Sequence, residues 1–287
     1  MFRLSLLVAL GAAPNNFFGP HSAGKPPYLF RLAPPAASRH CQAVAAGSFG
    51  ETVTFTRASD GYCVPGSGNH STLTTNQPRL EAQGLLVEAA ATNVLLRGRD
   101  ISHAAWTKTD ATCTKTATGP DGVASSASTC TATAGNGTAL QAIVTGAATR
   151  SSSMYLKRRT GTGAVEVTRD NAGTWTAVTS SLSSTEWFRV TPQTHAAMSS
   201  GGANPTVGIR IVTSGDAVDV DLVQDELGAF ASSAIETAGT SVTRAVDVVS
   251  ITKPTALSNT EGCAHACMTP LWTLPPQESV IVSFRAA

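Results

Sequence analysis

Between residues 106 and 223 the chain repeats one pattern: a short run rich in Thr, Val, Ile or aromatic residues, then a cluster of Gly, Asn, Asp or Ser, then another run. The runs fall at 106–118, 129–133, 139–144, 151–158, 163–169, 174–179, 186–192, 206–213 and 217–223, and no helical period of any length separates them. Short strands at this spacing build a β-sandwich or barrel; a parallel sheet would need a helical stretch of about 10–15 residues between strands. The expected fold is all-β, with a jelly-roll β-sandwich as the best single choice.

Composition narrows the partners. Charged residues are 14% of the chain and the formal net charge is +1, so no long-range field exists to hold nucleic acid or anionic lipid. Neither a nucleic-acid partner nor membrane insertion is expected. The run 4–13 is apolar after Arg3 and ends in Gly11-Ala12-Ala13; it is too short to span a bilayer and reads either as a buried terminal segment or as a clipped signal peptide. No Thr precedes Thr52, and Pro repeatedly interrupts the first fifty residues, leaving Phe17, Phe18, Tyr28 and Phe30 as isolated anchors. Residues 1–50 are therefore read as an irregular N-terminal arm, either a flexible extension or a segment that docks on a partner. A β-rich connecting segment follows at 51–99, the main domain at 100–249, and a C-terminal extension at 250–287. That extension carries one further strand-like run, 279–284, which must pair with the existing sheet, with another chain or with a further β-domain.

Three groups of residues invite a chemical reading. Asp216, Asp219 and Asp221, with Asp225 and Glu226 behind them, form the densest acidic cluster. On a strand Asp219 and Asp221 share one face, with Val218, Val220 and Leu222 on the other. Such a face is either solvated, or a calcium site if further oxygens converge, or the acid pair of a glycosidase; structural calcium is the one cofactor this allows. Trp175, Trp106 and Tyr155 are the rings a glycan site would use, since a flat ring stacks on the apolar face of a pyranose. Trp175, beside Gly173 and Thr174, is the best placed for exposure, and of the adjacent Trp187 and Phe188 one must face the core. Six cysteines leave the pairing open, but Cys113 and Cys130 lie in Thr-rich runs flanking the turn Gly119-Pro120-Asp121-Gly122, where adjacent strands bring a pair within reach. Cys263, His265 and Cys267 lack the second ligand pair that zinc ordinarily takes. No Gly-x-Ser-x-Gly elbow, phosphate-binding loop or His-Glu-x-x-His occurs, so no catalytic residue is named.

One resemblance organises these features. The stretch 206–247, TVGIRIVTSGDAVDVDLVQDELGAFASSAIETAGTSVTRAVD, together with FTRAS at 55–59, GLLVEAAATN at 84–93, SHAAWTK at 102–108, SMYLKR at 153–158, TWTAVT at 174–179 and EWFRV at 186–190, resembles the jelly-roll carbohydrate-binding-type domain of bacteriophage tail fibres and other virion structural proteins. The resemblance implies a non-enzymatic virion component, in a tail fibre, spike or capsid exterior, that binds a host surface glycan or serves assembly. It further implies other virion proteins as partners and a homo-oligomer, trimeric by analogy with related fibres. The alternatives are a secreted bacterial carbohydrate-binding protein, favoured if 4–13 is a true signal, and the non-catalytic accessory part of a polysaccharide depolymerase.

Overall fold

The computed structural model describes residues 2–5, 9–10, 28–29, 53–63, 70–81, 84–170, 173–251 and 267–270. Its centre is a sandwich of ten strands: β1 Thr107–Thr109, β2 Ala111–Ala117, β3 Ala127–Ala132, β4 Gly137–Ala142, β5 Arg150–Thr160, β6 Val165–Thr168, β7 Thr176–Ala177, β8 Phe188–Val190, β9 Thr206–Ile211 and β10 Ala217–Leu227. One sheet has the order β1-β4-β9-β6-β7 and the other β2-β3-β10-β5-β8, and every neighbouring pair is antiparallel. A two-residue strand, Ser199–Ser200, extends the β8 edge along β5. Counted from β3, the strands lie first, eighth, third and sixth in one sheet and second, seventh, fourth and fifth in the other. This wrapping of antiparallel ribbons is the jelly roll; β1 and β2 are added edge strands.

Alternation along each strand builds the core. Val207, Ile209 and Ile211 of β9 and Val165 and Val167 of β6 point inward to meet Met154 and Leu156 of β5 and Val218 and Val220 of β10. Each run expected from the sequence has a strand as its counterpart, with two departures. The run 106–118 divides at Asp110, whose φ of 51° turns the chain so that β1 joins one sheet and β2 the other. The Asp110 carbonyl, turned outward there, accepts the Thr133 amide at 2.8 Å. The second departure lies in β10, where Leu222 has a φ of 46° and two residues of β10, Leu222 and Val223, oppose the single β5 residue Met154 between the pairs Ser153–Gln224 and Tyr155–Asp221. This bulge reverses the alternation. Leu222 therefore leaves the face it was expected to share with Val218 and Val220: it packs outside the sandwich with Tyr62, Tyr155 and Ala234, and Val223 takes up the core side.

Segments from both sides of the jelly roll in sequence form a lateral unit over the outer face of the β3-β10-β5-β8 sheet. Ala91–Asn93 pairs with Val242–Arg244, and Val53–Thr56 pairs with Val248–Ile251. The hairpin Gly61–Cys63 with Ser71–Leu73 and the hairpin Arg79–Glu81 with Gly84–Val87 complete it. Of residues 1–50 the structure describes three short strands, of which Phe2–Ser5 pairs with Gly84–Val87 on one side and Cys267–Pro270 on the other. The strand expected at 279–284, the anchors Phe17, Phe18 and Phe30, and Cys263 and His265 lie outside the described residues.

The lateral unit is held by buried charge. Arg57, Arg79 and Arg244 are at most 2% exposed and converge on Glu88 and Asp247, which are equally enclosed. Arg79 bridges both carboxylates and Arg244 binds Glu88. Arg57 lacks a carboxylate of its own and is served mainly by main-chain oxygens, those of Ser59 at 2.8 Å, Thr74 at 3.0 Å and Gln77 at 3.2 Å. Burial alone would raise the Glu88 carboxyl, but Arg79 and Arg244 outweigh it and hold the group down at about 2. Five side chains drawn from 57–88 and 244–247 thus form one network, so neither half of the unit can be removed without leaving charge buried and unpaired.

Candidate functional site

The two outer faces of the sandwich have different fates. On the β3-β10-β5-β8 sheet the lateral unit covers Tyr155, which is 5% exposed, packed with Tyr62 and Leu222 and edge-on to the His70 ring at 4.5 Å. The Arg189 guanidinium lies over the other part of the ring, 5.4 Å from its centre. The expectation that Tyr155 contacts a glycan is thereby corrected: its ring is a joint between sandwich and lateral unit. Trp106 is corrected too. It is 2% exposed, belongs to the main core, and uses its indole N–H on the Arg97 carbonyl at 3.2 Å.

The acidic cluster is likewise committed. Asp221 is fully buried and takes both ends of the Arg99 guanidinium, Nε at 3.0 Å and a terminal nitrogen at 2.8 Å, as well as the Leu222 amide at 2.7 Å. Burial pushes its carboxyl up to about 6, and Arg99 opposes that shift, so the pair stays ionised at neutral pH. Asp219, also fully buried, accepts the Thr129 hydroxyl at 2.6 Å and lies 3.7 Å from both Lys157 and Arg159. Asp216 accepts the Gly163 amide at 2.7 Å and lies 3.6 Å from Arg158. Each of the three carboxylates faces at least one cation, in contrast to the converging oxygens that calcium requires. Among the described residues no group of three or more His, Cys, Asp or Glu is placed to hold a metal ion. The calcium expectation for Asp216, Asp219 and Asp221 is corrected on that ground, and the same pairing occupies the carboxylates a glycosidase would need free.

Cys113 and Cys130 stand directly opposite in the β2–β3 ladder, with Cα atoms 4.1 Å apart, and their sulfurs are joined. The bridge ties the added edge strand β2 to the jelly roll.

The other outer face, on β1-β4-β9-β6-β7, is where Trp175 stands. Because Val207, Ile209 and Ile211 point inward, Thr206, Gly208 and Arg210 point outward; by the same alternation Thr138 and Leu140 of β4 and Glu166 of β6 join them. Trp175 is half-exposed just before β7, and the Arg210 guanidinium lies 4.5 Å from its ring centre. Glu166, opposite Arg210 in the β6–β9 register, accepts from Arg210 Nε at 2.5 Å, and the same carboxylate oxygen lies 2.5 Å from a terminal nitrogen of the guanidinium. A carboxylate thus fixes a guanidinium, which in turn fixes an indole. Beside this trio a Cβ on Gly208 would stand 2.0 Å from the Ala139 carbonyl oxygen and 2.9 Å from Leu140 Cδ2, so only glycine fits. Its missing side chain lets Leu140 lean across the sheet and leaves a shallow floor lined by an apolar side chain and flanked by half-exposed Thr138 and Thr206. A ring, an apolar floor, hydroxyls and a fixed ion pair suit a flat polar ligand with one apolar face.

The sequence singles out Trp175 as a candidate but not Arg210 or Glu166, which the structure places beside it. Their only signal was an outward place in the alternation of 206–211 and 165–168, which acquires meaning once β9 and β6 are known to be neighbours.

No family model matches the chain, and no curated protein matches it. Among solved structures it is similar to the CBM22-1 xylan-binding domain from Paenibacillus barcinonensis Xyn10C, with a TM-score of 0.29 and 12% identity over 47% of this chain and 92% of that domain. The jelly-roll assignment stands on the strand order of the two sheets.

Proposed function

We propose that this chain is a glycan-binding protein whose ligand lies on the outer face of the β1-β4-β9-β6-β7 sheet, against Trp175. The observation that carries this reading is the chain of contacts from Glu166 through Arg210 to Trp175, which orients a half-exposed indole before any ligand arrives. Preorganised rings bind at a lower entropic cost than mobile ones. The test is a binding screen of soluble polysaccharides by affinity electrophoresis, followed by calorimetry on the best ligand. Trp175→Ala is expected to weaken binding about tenfold or more, equivalent to ~1.4 kcal/mol, while Trp175→Tyr retains most of it. A Trp175→Ala variant that binds every ligand of the screen as well as the parent overturns the reading.

The setting we propose for this adhesion is the exterior of a virion, in a tail fibre or spike, with the N-terminal segment docking to other virion proteins and the chain acting as a homo-oligomer, a trimer by analogy with fibres. The secreted carbohydrate-binding protein is the second reading. The Cys113–Cys130 bridge supports an extracellular working environment, which the two readings share. Light scattering on the eluting protein tests the oligomer, and a monomer at micromolar concentration removes the fibre-like part of the proposal.

A further inference from the structure

The lateral unit holds a cavity on the side of the sandwich away from Trp175. The cavity, of about 410 Å³, opens between the hairpin Gly61–Cys63 with Ser71–Leu73 and the chain from Ala234 to Arg244. Its size falls within the usual range of small-molecule sites, about 300–1,000 Å³. One wall is made by Tyr62 and Thr72, which stand opposite each other in the hairpin register; Val242 supplies an apolar patch facing them. Glu236 is 47% exposed, and one of its oxygens accepts from the Tyr62 hydroxyl and lies 3.5 Å from an Arg99 nitrogen, so the carboxylate is held in place while still reaching solvent. Asp60 brings a second, exposed carboxylate to the rim.

Arg244 also lines the cavity and is 2% exposed, with its terminal nitrogens committed to Glu88, Ser233 and the Ala89 carbonyl. A bare cation would meet Glu236 and Asp60 alone, whereas a ligand with hydroxyls and an apolar face would also meet the Tyr62 and Thr72 side chains and the Val242 patch. Arg244 is drawn inward to Glu88, which it shares with Arg79, while Asp60 and Glu236 place two exposed carboxylates at the cavity mouth.

We propose that this cavity binds one unit of a non-acidic saccharide, with an amino sugar preferred over a neutral one because its ammonium answers the two carboxylates. The site does not depend on the Trp175 face; the two are separated by the thickness of the sandwich.

The test is an amide NMR titration of the whole chain with three trimers, of glucosamine, glucose and galacturonate, at about pH 6, where an amine is protonated. Saturable shifts at Tyr62, Thr72 and Val242 are expected for the glucosamine trimer, at least threefold weaker binding for glucose, and none for galacturonate. Val242→Trp, at a partly exposed position, is expected to fill the cavity and abolish these shifts, whereas Trp175→Ala leaves them unchanged. Asp60→Asn, at an exposed position, is expected to remove most of the preference for the amino sugar. The proposal is overturned by the absence of shifts at these amides with both glucosamine and glucose trimers, by galacturonate binding as tightly as glucosamine, or by shifts that persist in Val242→Trp. Loss of the cavity shifts in Trp175→Ala also overturns it, whereas failure of the polysaccharide screen leaves it intact.

Discussion

Glu88 and His70 show how much single side chains carry when burial removes water as a partner. Glu88→Gln would leave Arg79 and Arg244 in the interior without the carboxylate they share. Breaking one member of a buried ion network typically costs about 3–5 kcal/mol, so a loss of that size is expected in urea unfolding of the variant. A loss below ~1 kcal/mol would show the network to be less enclosed than described. His70 is the converse, a buried group without a hydrogen bond: it is 3% exposed and both ring nitrogens lack partners among the described residues. The ring packs against Tyr155 and near Tyr62, and the charges facing it are Arg189, Arg99 and Asp121. Burial first, then Arg189, lowers its pKa to about 4, so the folded protein keeps it neutral while the unfolded chain protonates it near 6.5. Its stabilising effect is therefore complete above about pH 6.5 and is lost as pH falls toward 4. Asp221, raised to about 6, acts in the opposite sense over much of that window, which would mask the effect in the parent protein alone. The measurable quantity is the stability difference between the parent and His70→Leu, which is expected to move by about 2–3 kcal/mol in favour of the variant between pH 7 and 4.5. A difference independent of pH would mean that His70 is hydrated in solution.

At the scale of elements, two backbone reversals decide which face each strand presents. Asp110 turns the chain from one sheet to the other in the left-handed region, which Asp and Gly tolerate and β-branched residues do not. Asp110→Val is expected to destabilise by about 1–2 kcal/mol and Asp110→Gly to stay within ~0.5 kcal/mol of the parent in the same urea measurement. Leu222 plays the corresponding part in β10, where its bulge sends Leu222 outward to the lateral unit and brings Val223 back to the core. The Cys113–Cys130 bridge acts on the element between its ends: with 17 residues of separation, its reduction or replacement by serines is expected to cost about 3 kcal/mol by the chain-entropy relation. Thermal unfolding with and without reductant measures this, and an unchanged midpoint would show that β2 is held equally well by its ladder to β3.

At the scale of the whole molecule, the lateral unit and the jelly roll are joined by contacts too costly to break separately. Asn93 donates to the Val223 and Ile235 carbonyls, the Val94 amide bonds the Asp225 carbonyl at 3.0 Å, and Arg99 pairs with Asp221. One cooperative transition is therefore expected, with Trp fluorescence and far-ultraviolet circular dichroism coincident in urea. A separate early transition would show the lateral unit to be an independent domain. The sequence alone was enough for the all-β class and for the place of the sandwich strands apart from the division at Asp110, because period-2 alternation and turn residues are local properties and persist in any context. It was also enough to mark Cys113 and Cys130 as neighbours, since they flank a single turn. It was not enough for Trp106, Tyr155 or the acidic cluster. Whether a ring or carboxylate on a strand meets solvent depends on what covers that face, and the cover comes from distant segments: 53–99 and 228–251 over Tyr155, the opposite sheet around Trp106, and β5 cations beside Asp216 and Asp219. The ion pairs that claim Asp216, Asp219 and Asp221, the Glu166–Arg210–Trp175 contacts and the cavity beside Tyr62 arise only when strands distant in sequence become neighbours. The tertiary structure decided these, because pairing between distant strands is a property of the assembled sheet and of no local stretch within it.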